Sequence, residues 1–112
     1  MKFVITGGAG FIGSHIAEHL VNKNHNVIII DNLSRGRLEN LSKIKGQIEF
    51  KKIDILDFNS LKQVISDSDG VFHQAALTSV PESFTQKEKY HNVNVKGTEN
   101  IFKVAKEFEK KV

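Results

Sequence analysis

The stretch that decides the fold is FVITGGAGFIGSH, residues 3–15. It opens with a short run rich in β-branched and aromatic residues, as in a parallel strand that is buried on both faces. Glycines follow, and Ile12, Ile16 and Leu20 then repeat at the spacing of one helix face. A glycine-rich turn from a strand into a helix presents unpaired N–H groups at the positive end of the helix dipole. This stretch therefore predicts a binding site for a phosphate or pyrophosphate.

The glycines of this turn satisfy two spacings at once. Gly8, Gly10 and Gly13 fit the G-x-G-x-x-G pattern of dinucleotide-binding proteins. Gly7, Gly10 and Gly13 fit a variant, G-x-x-G-x-x-G. A lone match of either kind could arise in an ordinary glycine-rich loop. A second signal is therefore needed before the ligand is assigned.

That second signal is Asp31, which ends the next apolar run, NVIIID. An acidic residue about 20 residues beyond the glycines is where dinucleotide-binding proteins read the ribose hydroxyls. A carboxylate there accepts both hydroxyls and repels a 2′-phosphate, which favours NAD over NADP. Arg35 and Arg37 follow closely and could hold a 2′-phosphate instead. With Asp31 in place, we predict that the cofactor is NAD.

The rest of the chain alternates between strand and helix patterns. Further strands are predicted over residues 26–31, 47–54 and 70–76, the third of which has one wetter face. Helices are predicted from the glycine turn to about Asn24, from Phe58 to Ile65 with Asp57 as N-cap, and over residues 98–108. Residues 34–46 form a polar loop with room for a short helix, and Pro81 lies in a connection. This order predicts an α/β fold with one parallel sheet and helices on both faces.

Composition limits the alternatives. A chain of 112 residues is one domain, and its net charge of +3 is spread along the sequence, so nucleic-acid binding is not expected. The absence of cysteine excludes disulfides and thiolate metal sites. No apolar run approaches the length that spans a membrane, so we predict a cytoplasmic protein with no membrane partner.

Two histidine features are predicted to have no chemical role. HIAEH, residues 15–19, matches the H-x-x-E-H pattern of a zinc-protease class. It lies on the helix that follows the glycine turn, where an exposed histidine and glutamate are common, so we predict no metal site. His73, in the fourth predicted strand, is expected to have a packing role.

Five motifs together resemble one family. The chain is similar to the extended short-chain dehydrogenase/reductases, and within them to the NAD-dependent nucleotide-sugar 4-epimerases acting on UDP-glucose, UDP-glucuronate or UDP-N-acetylglucosamine. The resemblance implies a Rossmann-type sheet of order 3-2-1-4 that stops after about four strands. It extends from Lys2 to about Lys106. The motifs that carry it are TGGAGFIGSH (6–15), DNLSRG (31–36), DILD (54–57), FHQAALTSVPES (72–83) and NVNVKGTENI (92–101).

The resemblance also implies which residues meet the ligands, and it selects the spacing that begins at Gly7. Ser79 and Val80 would approach the nucleotide sugar, a UDP-sugar. Ala75 and Ala76 could instead be small packing residues, and Asp54 could simply cap the turn after it. The positions implied to contact NAD are Gly7, Gly10, Phe11, Ile12, Gly13, Asp31, Asn32, Ser34, Gly36, Asp54, Ile55, Gln74, Ala75, Ala76, Thr78 and Asn94.

The chemistry that the family performs needs residues that this sequence does not supply. The resemblance implies transfer of a hydride from the sugar C4 to NAD and its return to the opposite face, with a tyrosine as base and a lysine four residues later. Tyr90 is the sole tyrosine, Asn94 follows it by four residues, and we predict a structural role for it. Residues 1–112 are therefore expected to be an incomplete dinucleotide-binding domain without its substrate domain, and to be inactive alone.

Two other functions are compatible with the same motifs. The chain could be part of a nucleotide-sugar 4,6-dehydratase, or a non-catalytic NAD-binding module. An incomplete sheet would leave an apolar edge unpaired around Val71 and Phe72. We therefore expect either marginal stability or a homo-oligomer formed through that edge.

Overall fold

A computed structural model describes all residues, 1–112, and contains one parallel sheet of order β3-β2-β1-β4. Strand β1 pairs with β2 from Lys2 opposite Asn26 to Thr6 opposite Ile30. The predicted fold class and strand order are both confirmed. The strands are β1 (Lys2–Thr6), β2 (Asn26–Ile30), β3 (Ile48–Lys51) and β4 (Gly70–His73).

Helices connect these strands and cover both faces of the sheet. The last helical elements follow one another without a break from residue 87 to residue 107. The elements are α1 (Phe11–Asn22), a 3₁₀ segment (Leu38–Gln47), α2 (Phe58–Ile65), α3 (Val80–Thr85), α4 (Lys87–His91), a π-helical segment (Asn92–Gly97) and α5 (Thr98–Glu107). None of these helices has the length and apolar character needed to cross a membrane.

The alternation of side chains along the strands creates two cores. Ile5 and Ile29 point to the face covered by α1 and the 3₁₀ segment. Val4, Ile28 and Ile30 point to the opposite face, which α2 and α5 cover. All five side chains are buried, so β1 and β2 are hidden on both faces, as their apolar runs predict.

The strands are shorter than predicted, and β1 explains why. The other three strands were expected to extend to residues 31, 54 and 76, but they end at Ile30, Lys51 and His73. Beyond Thr6 the chain turns away at Gly7, whose φ is +67°, so β2 and β4 lose the backbone with which they would pair, and β3, which pairs with β2, ends with it. The polar residues that follow these strands therefore lie outside the sheet, at the carboxyl ends of the strands.

Local signals predicted most of the helix ends correctly. The Asp57 carboxylate accepts the Ser60 N–H at 3.3 Å and caps α2 as predicted. Asn24 adopts the left-handed conformation, with φ of +64°, just after α1. Pro81 was expected in a connection, and that is wrong: it lies in the first turn of α3, where a proline needs no N–H donor.

The prediction of an unpaired edge at β4 is wrong for Val71. Its N–H donates to the Lys111 carbonyl at 2.9 Å, and Gly70 forms a parallel bridge with Lys111. Val71 is buried, whereas the neighbouring Phe72 side chain remains 36% exposed. The end of the chain therefore covers part of the edge.

Candidate functional site

The carboxyl ends of the parallel strands and the glycine turn enclose a cleft of about 270 Å³. Most of the positions predicted to contact a cofactor line this cleft. They are Gly7, Gly10, Asp31, Asn32, Ser34, Gly36, Asp54, Ile55, Gln74, Ala75 and Ala76. Segments that are far apart in the sequence therefore meet in a single site.

The geometry of the turn distinguishes the two possible glycine spacings. The Gly7 N–H donates to the Ile30 carbonyl at 2.8 Å, and the Gly7 carbonyl accepts the Gly10 N–H at 3.1 Å. Gly7 and Gly10 line the cleft. Gly8 is buried, and a Cβ there would lie 2.6 Å from the Ile29 side chain in the core. The turn geometry therefore supports the spacing that begins at Gly7.

The first turn of α1 offers free hydrogen-bond donors. The backbone N–H groups of Phe11, Ile12 and Gly13 have no acceptor within the protein. Gly10, the N-cap residue, supplies no side chain to cap them. The Phe11 and Ile12 side chains are 77% and 62% exposed and do not line the cleft. Donors at the positive end of a helix suit an anionic group such as a pyrophosphate.

Asp31 ties the glycine turn to the loop after β2. One carboxylate oxygen, Oδ2, accepts the Ala9 N–H at 3.1 Å, and Oδ1 accepts the Leu33 N–H at 2.8 Å. A Cβ at Gly36 would lie 2.6 Å from Oδ2, so glycine leaves room for the carboxylate. A carboxylate has about four acceptor positions, and two backbone donors leave capacity for ribose hydroxyls. Asp31 is thus suited to both a structural and a binding role.

Asn32 and Asp54 form the neighbouring wall. The Asn32 amide donates to Asp54 Oδ2 at 3.3 Å, and Asn32 Oδ1 accepts the Ser34 N–H at 3.0 Å. Asp54 Oδ1 accepts the Leu56 N–H at 2.9 Å, which is the turn-capping role left open above. Both side chains therefore stabilise their own loops while they line the cleft.

The floor of the cleft is held by a buried hydroxyl. Thr6 is fully buried at the end of β1, and its Oγ1 accepts the N–H groups of Gln74 and Ala75 at 3.1 and 3.2 Å. His73 Nδ1 lies 2.6 Å from the same Oγ1, and its Nε2 lies 2.8 Å from Thr98 Oγ1. His73 thus makes specific hydrogen bonds, in addition to the packing role predicted for it.

Asn94 acts on the site through the chain that follows β4. Its Oδ1 accepts the Leu77 N–H and its amide donates to the Leu77 carbonyl, each at 2.8 Å. Leu77 lines the cleft, whereas Asn94 does not. Three residues later, Gly97 lets the helix pack closely, because a Cβ there would lie 2.4 Å from the Ile55 side chain.

Three other predicted contact residues lie outside the cleft lining. Thr78 and Val80 are exposed, and Val80 is the first residue of α3. Ser79 caps α3 by accepting the Glu82 N–H at 3.4 Å, while its own N–H donates to the Tyr90 hydroxyl at 3.2 Å. Tyr90 is buried, in agreement with the structural role predicted for it.

An ion pair spans the open side of the cleft. The Arg35 guanidinium, which lines the cleft, is paired with Glu82 on α3. Hydrogen bonding by Arg35 holds the pKa of the Glu82 carboxyl below its usual value, and Glu82 raises the pKa of Arg35. Because the Arg35 side chain is 52% exposed, solvent screens the pair and it can open readily.

Sequence reasoning missed several lining residues. Apolar side chains beside the predicted polar ones were not singled out, and neither were two residues from the helix after α3. Lys89 and Val93 are four residues apart on one helix face, a spacing that could have grouped them. The missed residues are Ile30, Ile53, Leu56, Leu77, Lys89 and Val93.

The structure brings together no group of three or more potential metal ligands. The histidines of HIAEH do not converge on a common point with Glu18. His15 Nδ1 lies 2.6 Å from the Phe11 carbonyl, and His19 is exposed beside the apolar side of α1.

Comparison with known proteins agrees with this geometry. A family model described as GDP-mannose 4,6 dehydratase matches residues 4–112. The UDP-N-acetyl-alpha-D-glucosaminuronate decarboxylase of Bacillus cytotoxicus is 41% identical over 111 residues, which cover 99% of this chain and 35% of that protein.

Two solved structures are similar to this chain in fold as well as in sequence. UDP-glucose 4-epimerase of Thermotoga maritima, solved with UDP-glucose, has a TM-score of 0.91 at 32% identity, covering 98% of this chain and 35% of its own. UDP-glucose 4-epimerase of Thermus thermophilus, solved with NAD, has a TM-score of 0.88 at 34% identity, covering 97% and 35%. The present chain thus spans about a third of the length of these proteins.

Proposed function

The chain belongs to the family of the GDP-mannose 4,6 dehydratase model, within the extended short-chain dehydrogenase/reductases, and from that premise we propose that it is the NAD-binding part of a nucleotide-sugar 4-epimerase. One observation carries the proposal. The free N–H groups of α1 and the Asp31 carboxylate would serve the two ends of an adenosine diphosphate unit, and the glycine turn links them, since Asp31 accepts the Ala9 N–H. The site therefore fits the group.

Different residues of the chain would bind different parts of NAD. The amides of Phe11, Ile12 and Gly13 would bind the pyrophosphate, and Asp31 would accept the adenosine ribose hydroxyls. Bound NAD would supply the acceptor and donor of a hydride at the sugar C4. Gln74 and Ala75, fixed by Thr6, would support the cofactor where the substrate approaches, next to Ser79 and Val80. We propose that none of these residues acts as the catalytic base.

A second candidate is a different reaction on the same class of substrate. The similar protein with 41% identity is a decarboxylase of a UDP-sugar acid, and the family model bears the name of a dehydratase. The cofactor cleft described above would serve all three activities without change. A non-catalytic NAD-binding module would need the same cleft as well.

Titration calorimetry of the 112-residue chain with NAD⁺ tests the proposal directly. We expect binding of one NAD⁺ per chain, at least about tenfold weaker binding of NADP⁺ because Asp31 repels a 2′-phosphate, and competition by ADP. UDP-glucose added to the NAD complex is expected to undergo no turnover. Absence of heat with millimolar NAD⁺ in a folded sample would contradict the proposed cofactor role.

Glu82 provides a test of cofactor choice. Changing Glu82→Gln removes the carboxylate that holds Arg35, so the guanidinium becomes free to meet a 2′-phosphate. We expect NADP⁺ affinity to rise about fivefold, the scale of a partly exposed ion pair, while NAD⁺ affinity is unchanged. Glu88→Gln, on an exposed position of α4 with no ion pair, is the matched control. Equal NADP⁺ affinities in both variants would show that Arg35 plays no part in the choice.

A further inference from the structure

Four hydrogen bonds converge on a single hydroxyl group and imidazole ring beside the cofactor cleft. Thr6 Oγ1 accepts the N–H groups of Gln74 and Ala75, and it lies 2.6 Å from His73 Nδ1. The other ring nitrogen, Nε2, lies 2.8 Å from Thr98 Oγ1 on α5. The network joins β1, β4 and α5 to the floor of the cleft. No step of the function proposed above assigns a task to His73.

The hydrogen-bond inventory of Thr6 determines the tautomer of His73. A hydroxyl oxygen has two lone pairs and one proton. The Ala75 N–H and the Gln74 N–H, which is shared with the Thr6 carbonyl oxygen at 3.0 Å, approach these lone pairs, and Nδ1 is the acceptor for the Thr6 hydroxyl proton. The neutral ring then carries its own proton on Nε2 and donates it to Thr98. In this arrangement both ring nitrogens and the buried Thr6 hydroxyl proton have a partner, and it is assigned from the network of heavy atoms.

We propose that His73 is a positioning residue for the cofactor: by accepting the Thr6 hydroxyl proton, it directs the Thr6 lone pairs at Gln74 and Ala75 and so sets the backbone on which the cofactor rests. This inference depends on the proposed NAD-binding function for its ligand. It assigns to His73 no contact with the reacting atoms. Its action passes through Thr6 alone.

Protonation of His73 breaks the arrangement. A cationic ring carries N–H groups at both nitrogens, and the N–H at Nδ1 would face a hydroxyl whose lone pairs are occupied. The Thr6 hydroxyl proton would lose its acceptor, and Oγ1 would give up either the Ala75 N–H or its share of the Gln74 N–H, which would then keep only the Thr6 carbonyl at 3.0 Å. The charged ring is therefore incompatible with the hydrogen bonds that Thr6 makes to Gln74 and Ala75 in this structure.

No group around the His73 ring stabilises its protonated form. Burial lowers the pKa of His73 below its ordinary value of 6.5, and no neighbouring charge contributes to the shift. The groove along β4 is also lined by the charged residues Met1, the N-terminus, Asp69 and Lys111. None of them is hydrogen bonded to the ring, while β1 and α5 reach its nitrogens through the hydroxyls of Thr6 and Thr98.

The sign of the pH dependence follows from the neutral form being the native one. Stability from this network is complete above pH 6.5 and is lost as pH falls from there through the lower pKa of the folded state. If NAD prefers the intact floor, its dissociation constant rises by up to about tenfold per pH unit below that pKa. By reciprocity, NAD must lower the pKa of His73 further.

Nuclear magnetic resonance of the ¹⁵N-labelled chain tests the proposal with and without NAD⁺. We expect Nε2–H as the neutral tautomer, amide shifts of Gln74 and Ala75 that titrate with the midpoint of the His73 ring, and a lower midpoint with NAD⁺. A neutral ring protonated at Nδ1, or amides that do not follow the ring, would overturn it. The free-chain measurements stand even if NAD⁺ does not bind, a result that would count against the proposed function alone.

Variants separate positioning from packing. His73→Asn places a carbonyl oxygen near the position of Nδ1, so it should keep the NAD⁺ affinity of pH 7.5 and lose its pH dependence. His73→Leu removes the acceptor and should weaken NAD⁺ binding at every pH. If the leucine variant does not fold, the asparagine variant still decides the matter: a pH profile like that of the unmodified chain would refute the proposal. His19→Asn, at an exposed position on α1, is the control and should change nothing.

Discussion

Replacing Gly13 by alanine is expected to abolish NAD binding and to remove about 3 kcal/mol from the free energy of unfolding. A Cβ at this position would lie 2.3 Å from the Gly7 carbonyl oxygen and 2.8 Å from the Gly8 Cα. Both are backbone atoms, so no side-chain rotation can relieve the clash. Helix α1 would have to move away from the turn, which would pull Ala17 and Leu20 out of the core and misplace the amides offered to the pyrophosphate.

Gly46→Ala is the matched control for this change. A Cβ at Gly46 would meet nothing within 4 Å, and the residue is exposed near the end of the 3₁₀ segment and does not line the cleft. We expect its free energy of unfolding to change by less than about 1 kcal/mol and its NAD affinity to stay the same. Urea unfolding and calorimetry on both variants measure the two quantities. A Gly13→Ala protein that behaves like Gly46→Ala would show that α1 does not pack on the turn as described.

The parts of this molecule that depend on local pattern could be predicted from its sequence. Runs of β-branched residues marked the buried strands, and the handedness of parallel crossovers limited the ways they could be ordered. Asp57 and Asn24 marked helix ends because capping is decided by residues close together in the chain. Asp31 could be assigned to the cofactor site from its spacing to the glycines, and the family resemblance implied Asp54 and Gln74, which line the same cleft.

The parts that depend on distant pairs could not be predicted in this way. Nothing local indicates that the Asn94 amide is satisfied by Leu77, or that Arg35 meets Glu82 47 residues later. His73 is similar: its two partners, Thr6 and Thr98, are 67 and 25 residues away. Such contacts depend on how helices and strands pack against one another. The residues next to them in the sequence give no indication of these contacts. For that reason Asn94 does not line the cleft itself but is hydrogen bonded to Leu77, which does.

Asp31→Ala is expected to lower NAD affinity by about a hundredfold or more. The carboxylate holds two backbone donors, at Ala9 and Leu33, and would accept the ribose hydroxyls as well. Hydrogen bonds to a charged group contribute about 1.5–3 kcal/mol each, and about 1.4 kcal/mol corresponds to a factor of ten in affinity. Removal of the carboxylate therefore costs both the direct contacts and the link that keeps the glycine turn in place. Calorimetry with NAD⁺ measures the loss.

Two further variants make this result specific to the site. Asp31→Asn retains one acceptor oxygen but loses the charge, so we expect NAD⁺ affinity to fall about tenfold and discrimination against NADP⁺ to weaken, because a 2′-phosphate is no longer repelled. Asp57→Ala removes the cap of α2, a side chain that does not line the cleft, and should lower the melting temperature while leaving NAD⁺ affinity unchanged. If Asp57→Ala weakened NAD⁺ binding as much as Asp31→Ala, loss of stability would account for both, and Asp31 would have no separate role in binding. If Asp31→Asn instead kept full preference for NAD⁺, the choice of cofactor would have to come from the Arg35–Glu82 pair, which holds the only arginine that lines the cleft.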